Sequence, residues 1–191
     1  GPHVVGIHVH SLGVSYQARR RDSAIGGRYL PNLCAAWNHG RMASVFSKII
    51  SGEFSGLFAW ADDRCVAFAT IEPISAGHLL VVPRDEVPAF TQADDDLLAH
   101  LARVAKIIGR AQEQAFEAPR AALIIAGFEV AHLHLHVLPA WGEAQLSFAN
   151  ARKDASHAEL AASTEKVRAA LRAQGQGANV PVSSLSPELA S

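Results

Sequence analysis

The chain has 191 residues, 49% of them hydrophobic and 18% charged, with a formal net charge of −1. That composition supports one ordinary buried core. With no basic stripe and no apolar run near the length of a bilayer crossing, it excludes nucleic acid and membrane as expected partners. The two cysteines, Cys34 and Cys65, lie far apart and suggest neither a disulfide framework nor a cysteine metal site.

Residues 1–41 mix Gly, Arg, His and Pro without a sustained period, and Arg19-Arg20-Arg21 breaks any apolar face, so a loosely draped extension is expected there. His8 and His10 alternate briefly but have no third ligand nearby. Met42 is the one methionine and is read as the natural start, with Gly1-Pro2 as the remnant of a protease cut. No convincing signal peptide is present, and a cytoplasmic location is expected.

Val45, Phe46, Ile49 and Ile50 fall at helical spacing before Ser51-Gly52, which predicts a short first helix. Leu57 to Trp60 and Cys65 to Thr70 flank Asp62-Asp63-Arg64 and predict a hairpin with a polar turn. His78 to Val82, closed by Pro83, predicts a further buried strand. Thr91-Gln92-Ala93-Asp94 has the form of a capping box, and Leu97, Leu101, Val104, Ile108, Ala111 and Ala115 extend a long amphipathic helix to about Phe116. The three aspartates Asp94, Asp95 and Asp96 then serve a helix start, because consecutive helical side chains diverge too far to share a metal. Ala122 to Ile125 predicts a strand, Gly127 a sharp bend, and Leu160, Val167 and Leu171 one face of a last helix. Residues 174–191, rich in Gly, Ser, Pro and Gln, are expected to form a tail. The element order suits an α+β domain with helices on one face of a mostly antiparallel sheet.

Residues 130–139 read Val-Ala-His-Leu-His-Leu-His-Val-Leu-Pro. Alternation with period two predicts a strand that aims His132, His134 and His136 to one side and Leu133, Leu135 and Val137 to the other. Neighbouring same-side residues stand about 6.5 Å apart and the outer pair about 13 Å. A metal held at about 2.1 Å could therefore be shared by two of the rings but by all three only with strain. The other chemistry open to such a row is nucleophilic attack by one imidazole, with its neighbours meeting the developing charge.

The run His-apolar-His-apolar-His-apolar-apolar, closed by Leu138 and Pro139, resembles the signature of the histidine-triad (HIT) superfamily of nucleotide hydrolases and transferases. The likeness extends over roughly residues 44–141. It implies an α+β HIT-like fold, a mostly antiparallel sheet with a long helix packed on it and a C-terminal helix. The domain would span 42–150, followed by a helix at 151–174 and a tail at 175–191. It also implies a homodimer that needs neither metal nor cofactor and acts on a nucleotide, a purine nucleoside monophosphate being the expected species. By the same resemblance His134 attacks the α-phosphorus, His136 contacts the phosphate and leaving group, and His132 belongs to the surrounding hydrogen-bond network. His78 matches a histidine beside the triad, and Phe68 and Ile71 match positions that sandwich the base.

Four departures from the family pattern bear on the substrate. Many relatives carry Cys-x-x-Cys where this chain has Ser44-Val45-Phe46-Ser47, and serine is a poor zinc ligand, so a structural metal is not expected. Thr70 stands where an acidic or amide side chain usually grips the ribose. The loop before the motif is shortened to Ala126-Gly127. Glu129 puts a carboxylate where a neutral donor would approach phosphate, which suits a cationic leaving group such as the amine of a nucleoside phosphoramidate, or else leaves Glu129 facing solvent. The alternatives to a phosphate-transferring enzyme are a non-catalytic nucleotide-binding or interaction protein that keeps the triad, and a metal-dependent hydrolase using two of its histidines.

Overall fold

The computed structural model describes residues 43–190, so the expectations for residues 1–41 and for Met42 fall outside the described part. The first helix, α1 (Val45–Ile50), starts where Ser44 Oγ accepts from the Ser47 amide. This cap satisfies a backbone donor that the helix itself leaves free. Strands β1 (Phe58–Ala61) and β2 (Cys65–Ala69) form the expected hairpin. Asp62 locks its turn: Oδ1 accepts from the Arg64 and Cys65 amides at 2.9 and 2.8 Å, and Oδ2 accepts from Trp60 Nε1 at 2.9 Å. Next come β3 (Leu79–Pro83), the long helix α2 (Asp95–Phe116), β4 (Arg120–Ile125), β5 (Leu135–Ala140) and α3 (His157–Ala173). The five strands make one antiparallel sheet in the order β1-β2-β3-β5-β4.

Alternation along the strands divides the interior in two. Cys65, Ala67, Leu79, Val81, Leu135 and Val137 point towards α2 and α3, whose Leu101, Val104, Ile108, Val167 and Leu171 complete one core. Val66, Phe68, Leu80 and Val82 point the other way, and there α1 covers part of the sheet with Phe46, Ile49 and Ile50. The helices are thus not all on one face: the apolar side of a six-residue helix is seated on the face that also carries the histidines.

Three further differences from the sequence reading have local causes. Helix α2 is capped by Asp94, whose side chain accepts from the Leu97 amide at 2.8 Å, while Thr91 falls in a preceding 3-10 turn. Strand β5 begins at Leu135, because the ladders with both neighbours end at the pairs Val81 with Leu135 and Ile125 with Leu135. His132 and His134 therefore precede the strand, and only His136 lies in it. The described C-terminal residues do not form a free tail either. Val180 enters the core, Ser184 O accepts from the Phe58 amide at 2.6 Å, and buried Arg168 donates to Phe58 O and Pro181 O at 2.8 Å each. Carbonyls on both segments need a donor, and one guanidinium reaches both. Among the described residues no helix is long and apolar enough to cross a membrane.

Candidate active site

The chain reaches the motif through Gly127, whose φ of 82° only glycine adopts without strain, and the Leu133 amide ties the approach to Val87 O at 2.6 Å. A bend at His132 and the start of β5 then carry the three imidazoles. They do not form an equivalent row, since each ring is held by different partners that assign it a different proton pattern.

His132 is fully buried, and both of its nitrogens are engaged within the protein. Nε2–H donates to Pro83 O at 2.8 Å, which leaves Nδ1 to accept from the Ser44 hydroxyl at 2.7 Å. Burial is the main cause holding its pKa below the ordinary histidine value. It has no nitrogen left for a substrate. His134 turns Nδ1–H back onto the carbonyl oxygen of His132 at 2.7 Å. Its Nε2 keeps a lone pair, has no partner among the described residues and reaches solvent, although the residue as a whole is 7% exposed.

His136 follows on the strand, with its ring centroid 4.9 Å from that of His134. Behind it the Ile74 amide donates to His78 Nδ1 at 3.1 Å, so His78 bears its proton on Nε2 and donates to His136 Nδ1 at 3.0 Å. His136 is left with an Nε2–H that no described group accepts. Desolvation, reinforced by the neighbouring imidazole, lowers the pKa of His78 to about 3 and that of His136 to about 4. His78 and His136 are therefore neutral at pH 7, and the site turns outward the Nε2 lone pair of His134 beside the Nε2–H of His136.

The remaining predicted residues divide by exposure. Phe68 is 2% exposed, packed edge-on against Phe46 and Phe58, and forms the floor below the site; Ile71 is 79% exposed and offers open apolar surface. Of the two residues expected to sandwich the base, Phe68 is thus packed beneath the site and Ile71 stands at the surface. Thr70 is half-buried, and its hydroxyl oxygen accepts from the Glu72 amide at 3.3 Å, leaving the hydroxyl proton to donate. Glu129 is exposed in the bend before the motif, with no hydrogen bond to the triad among the described residues.

The sequence reading missed three contributors. Phe46 lies edge-on to His134, with centroids 5.0 Å apart, and also contacts His132. Phe148, in a 3-10 turn after β5, lies edge-on to His136 at 4.9 Å. Glu86 accepts from the Ser44 amide at 2.6 Å and from the Ser47 hydroxyl at 2.5 Å. Phe46 had a signal, since it sits in the segment that departs from Cys-x-x-Cys, but Phe148 and Glu86 stand in stretches with no pattern of their own.

Ser44, Ser47, Glu86 and His132 converge where the resemblance implies a structural metal in many relatives, and the group does not fit zinc. Ligands around a tetrahedral zinc stand about 3.4 Å from one another, whereas Ser44 Oγ to His132 Nδ1 is 2.7 Å and Ser47 Oγ to Glu86 Oε1 is 2.5 Å. Neutral hydroxyls also replace the thiolates. A second group, Asp62, Cys65 and His100, has its potential ligand atoms within 4.8 Å of one another. Asp62 there is already bonded to two amides, the Trp60 indole and His100, which accounts for it as the lock of the β1–β2 turn.

Comparison with known proteins agrees with this geometry. The HIT domain profile matches residues 52–142. An uncharacterized HIT-like protein of Saccharolobus solfataricus is 32% identical over 104 residues, which cover 52% of this chain and 75% of that protein. One of Methanocaldococcus jannaschii is 32% identical over 99 residues, 50% of this chain and 77% of that protein. Among solved structures, a zinc-bound histidine triad family protein of Mycobacterium smegmatis is 28% identical with a TM-score of 0.60, covering 69% of this chain and 94% of that one. A hypothetical histidine triad nucleotide-binding protein of Sulfolobus tokodaii is 29% identical with a TM-score of 0.59, covering 67% and 91%. With the α+β sheet, the triad on its open face and these relatives in agreement, the chain belongs to the histidine-triad (HIT) family.

Proposed function

We propose that this protein hydrolyses or transfers a nucleoside monophosphate group through a covalent intermediate on His134, from a nucleoside phosphoramidate or dinucleotide type of substrate. The observation that carries this reading is the fixed set of tautomers, with the Nε2 lone pair of His134 directed outward beside the Nε2–H of His136. Attack forms a bond from Nε2 to the α-phosphorus and breaks the bond to the leaving group. The imidazole becomes cationic at that moment, and the His132 carbonyl on its Nδ1–H stabilises the charge. His136 donates a hydrogen bond from Nε2–H to a phosphate oxygen or to the leaving atom, nitrogen in a phosphoramidate and oxygen in a dinucleotide, and keeps its orientation through His78, while the departing amine takes its proton from solvent. Water or another acceptor then displaces nitrogen from phosphorus and regenerates the neutral ring. Ile71 supplies apolar surface for the base, a purine being the expected one, and Thr70 a hydroxyl for the ribose. Glu129 is available to a cationic leaving group.

The same reading takes the active form as a homodimer. Strand β4 is an edge of the sheet with Leu123 half exposed, and beside it a groove of about 230 Å³ has small residues such as Ala105, Gly109 and Ala121 at its base and the charged Lys106, Arg110 and Glu113 in its lining. Unpaired strand edges of this kind favour pairing with a second copy.

The test is mass spectrometry and kinetics with adenosine 5′-phosphoramidate. Wild type is expected to trap an acid-labile adenylyl group on His134, and His134→Ala to lose both the adduct and turnover by at least about 10³-fold. Nucleotide binding without any adduct would instead favour a binding protein.

A further inference from the structure

We infer that Ser44, Ser47, Glu86 and His132 form a metal-free clasp that positions the nucleophile, doing with hydrogen bonds what a structural metal would do with coordinate bonds. This rests on the reading of His134 as nucleophile. The connections run without a break from surface to site. Glu86 Oε1 accepts from the Ser44 amide and the Ser47 hydroxyl, at 2.6 and 2.5 Å. Ser44 Oγ accepts from the Ser47 amide at 3.0 Å and donates its own proton to His132 Nδ1 at 2.7 Å. His132 is clamped from its other nitrogen by Pro83 O, and its carbonyl oxygen, 2.7 Å from His134 Nδ1, is the atom that selects the nucleophilic tautomer.

Two hydrogen bonds on a fully buried ring, one of them backed by the Ser44–Ser47–Glu86 bonds, leave the His132 carbonyl little freedom. Pro83 O can only accept, so His132 carries its proton on Nε2 and its Nδ1 accepts from the Ser44 hydroxyl, a pair of bonds that holds the ring against flipping. The Ser47 and Ser44 donors hold the Glu86 carboxyl below its ordinary pKa, so the clasp is closed at neutral pH. Ser44 and Ser47 are thus positioning residues, and a pair of thiolates at the same sites, joined by His132 Nδ1 and the Glu86 carboxylate, would make up a four-ligand zinc set.

The experiment uses the full 191-residue chain. Wild type is expected to purify with substoichiometric zinc and to keep its melting temperature and activity in EDTA. Ser44→Ala is expected to lower kcat about 10- to 100-fold with KM within about twofold, and Ser44→Thr to restore it. Gly52→Ala, which strains a φ of 81° just past the end of α1, serves as the control of matched stability and should leave kcat unchanged. Ser44→Cys combined with Ser47→Cys should bind one zinc per chain and become sensitive to chelators. Stoichiometric zinc in wild type, a Ser44→Ala loss no larger than that of Gly52→Ala, or a double cysteine variant that binds no zinc would each overturn the inference. If wild type proves inactive on every nucleotide, the proposed function fails but the clasp is still read from nitrogen NMR of the rings. Ser44→Ala should then convert His134 from one tautomer to a mixture, and an unchanged single tautomer would overturn the clasp on its own.

Discussion

His78 Nε2 and His136 Nδ1 lie 3.0 Å apart across the β3–β5 pairing, and the Ile74 amide on the far side of His78 decides which of them bears the proton. The outward N–H of His136 is therefore set by a backbone amide two bonds upstream. A donor fixed in this way would need no reorganisation as charge develops on phosphate in the proposed reaction.

Replacing His78 with Phe keeps an aromatic ring but removes that donor. His136 is then free to place its proton on either nitrogen. We expect kcat to fall about tenfold or more, with a smaller change in KM, since the donor matters most in the transition state. Steady-state kinetics check this, and nitrogen NMR should show the single His136 tautomer become two.

Stability should fall with acid through a window set by the same pair. An unfolded histidine takes up a proton near pH 6.5, whereas in the folded protein His78 waits until about 3 and His136 until about 4. Between those values the unfolded chain binds more protons, so stability is full above pH 6.5 and is lost progressively towards pH 4. Urea midpoints at pH 7.5, 6.5, 5.5 and 4.5 should decline in that order, and His78→Phe should flatten the decline. A midpoint constant from 7.5 to 4.5 would contradict the assignment.

Gly77 precedes His78 with a φ of 84°, and a Cβ there would lie 2.3 Å from Phe116 at the end of α2. Gly77→Ala combines backbone strain with a clash, and should cost about 1–3 kcal/mol. It should also displace His78, because Gly77 O accepts from buried Gln112 at 2.8 Å. Denaturation and kcat are both expected to report the change.

Arg168 carries the attachment of the C-terminal segment. Arg168→Ala leaves the carbonyls of Phe58 and Pro181 without their donor, which should cost about 2–3 kcal/mol. Hydrogen exchange should rise in residues 180–188 and in β1 while the triad stays protected.

Some of this was legible before any coordinates. Apolar runs bounded by turn residues placed β1, β2, β3 and β4, and the 3.6-residue period placed α2 and α3, within a few residues, because buried strands and one-sided helices demand those patterns in a single chain. The three histidines marked the candidate site by their alternation, and Leu133, Leu135 and Val137 fill the core on the other side of the sheet. What the pattern could not contain was the inequality of the three rings. A sequence states which residue is histidine but not which nitrogen holds the proton, and that is decided by partners 88 residues away at Ser44, 49 at Pro83 and 58 at His78. The same holds for Glu86, Phe148 and the C-terminal segment. Each acts through a hydrogen bond or ring contact to residues remote in sequence, and such a contact leaves no local periodicity to read; only folding brings its two halves together.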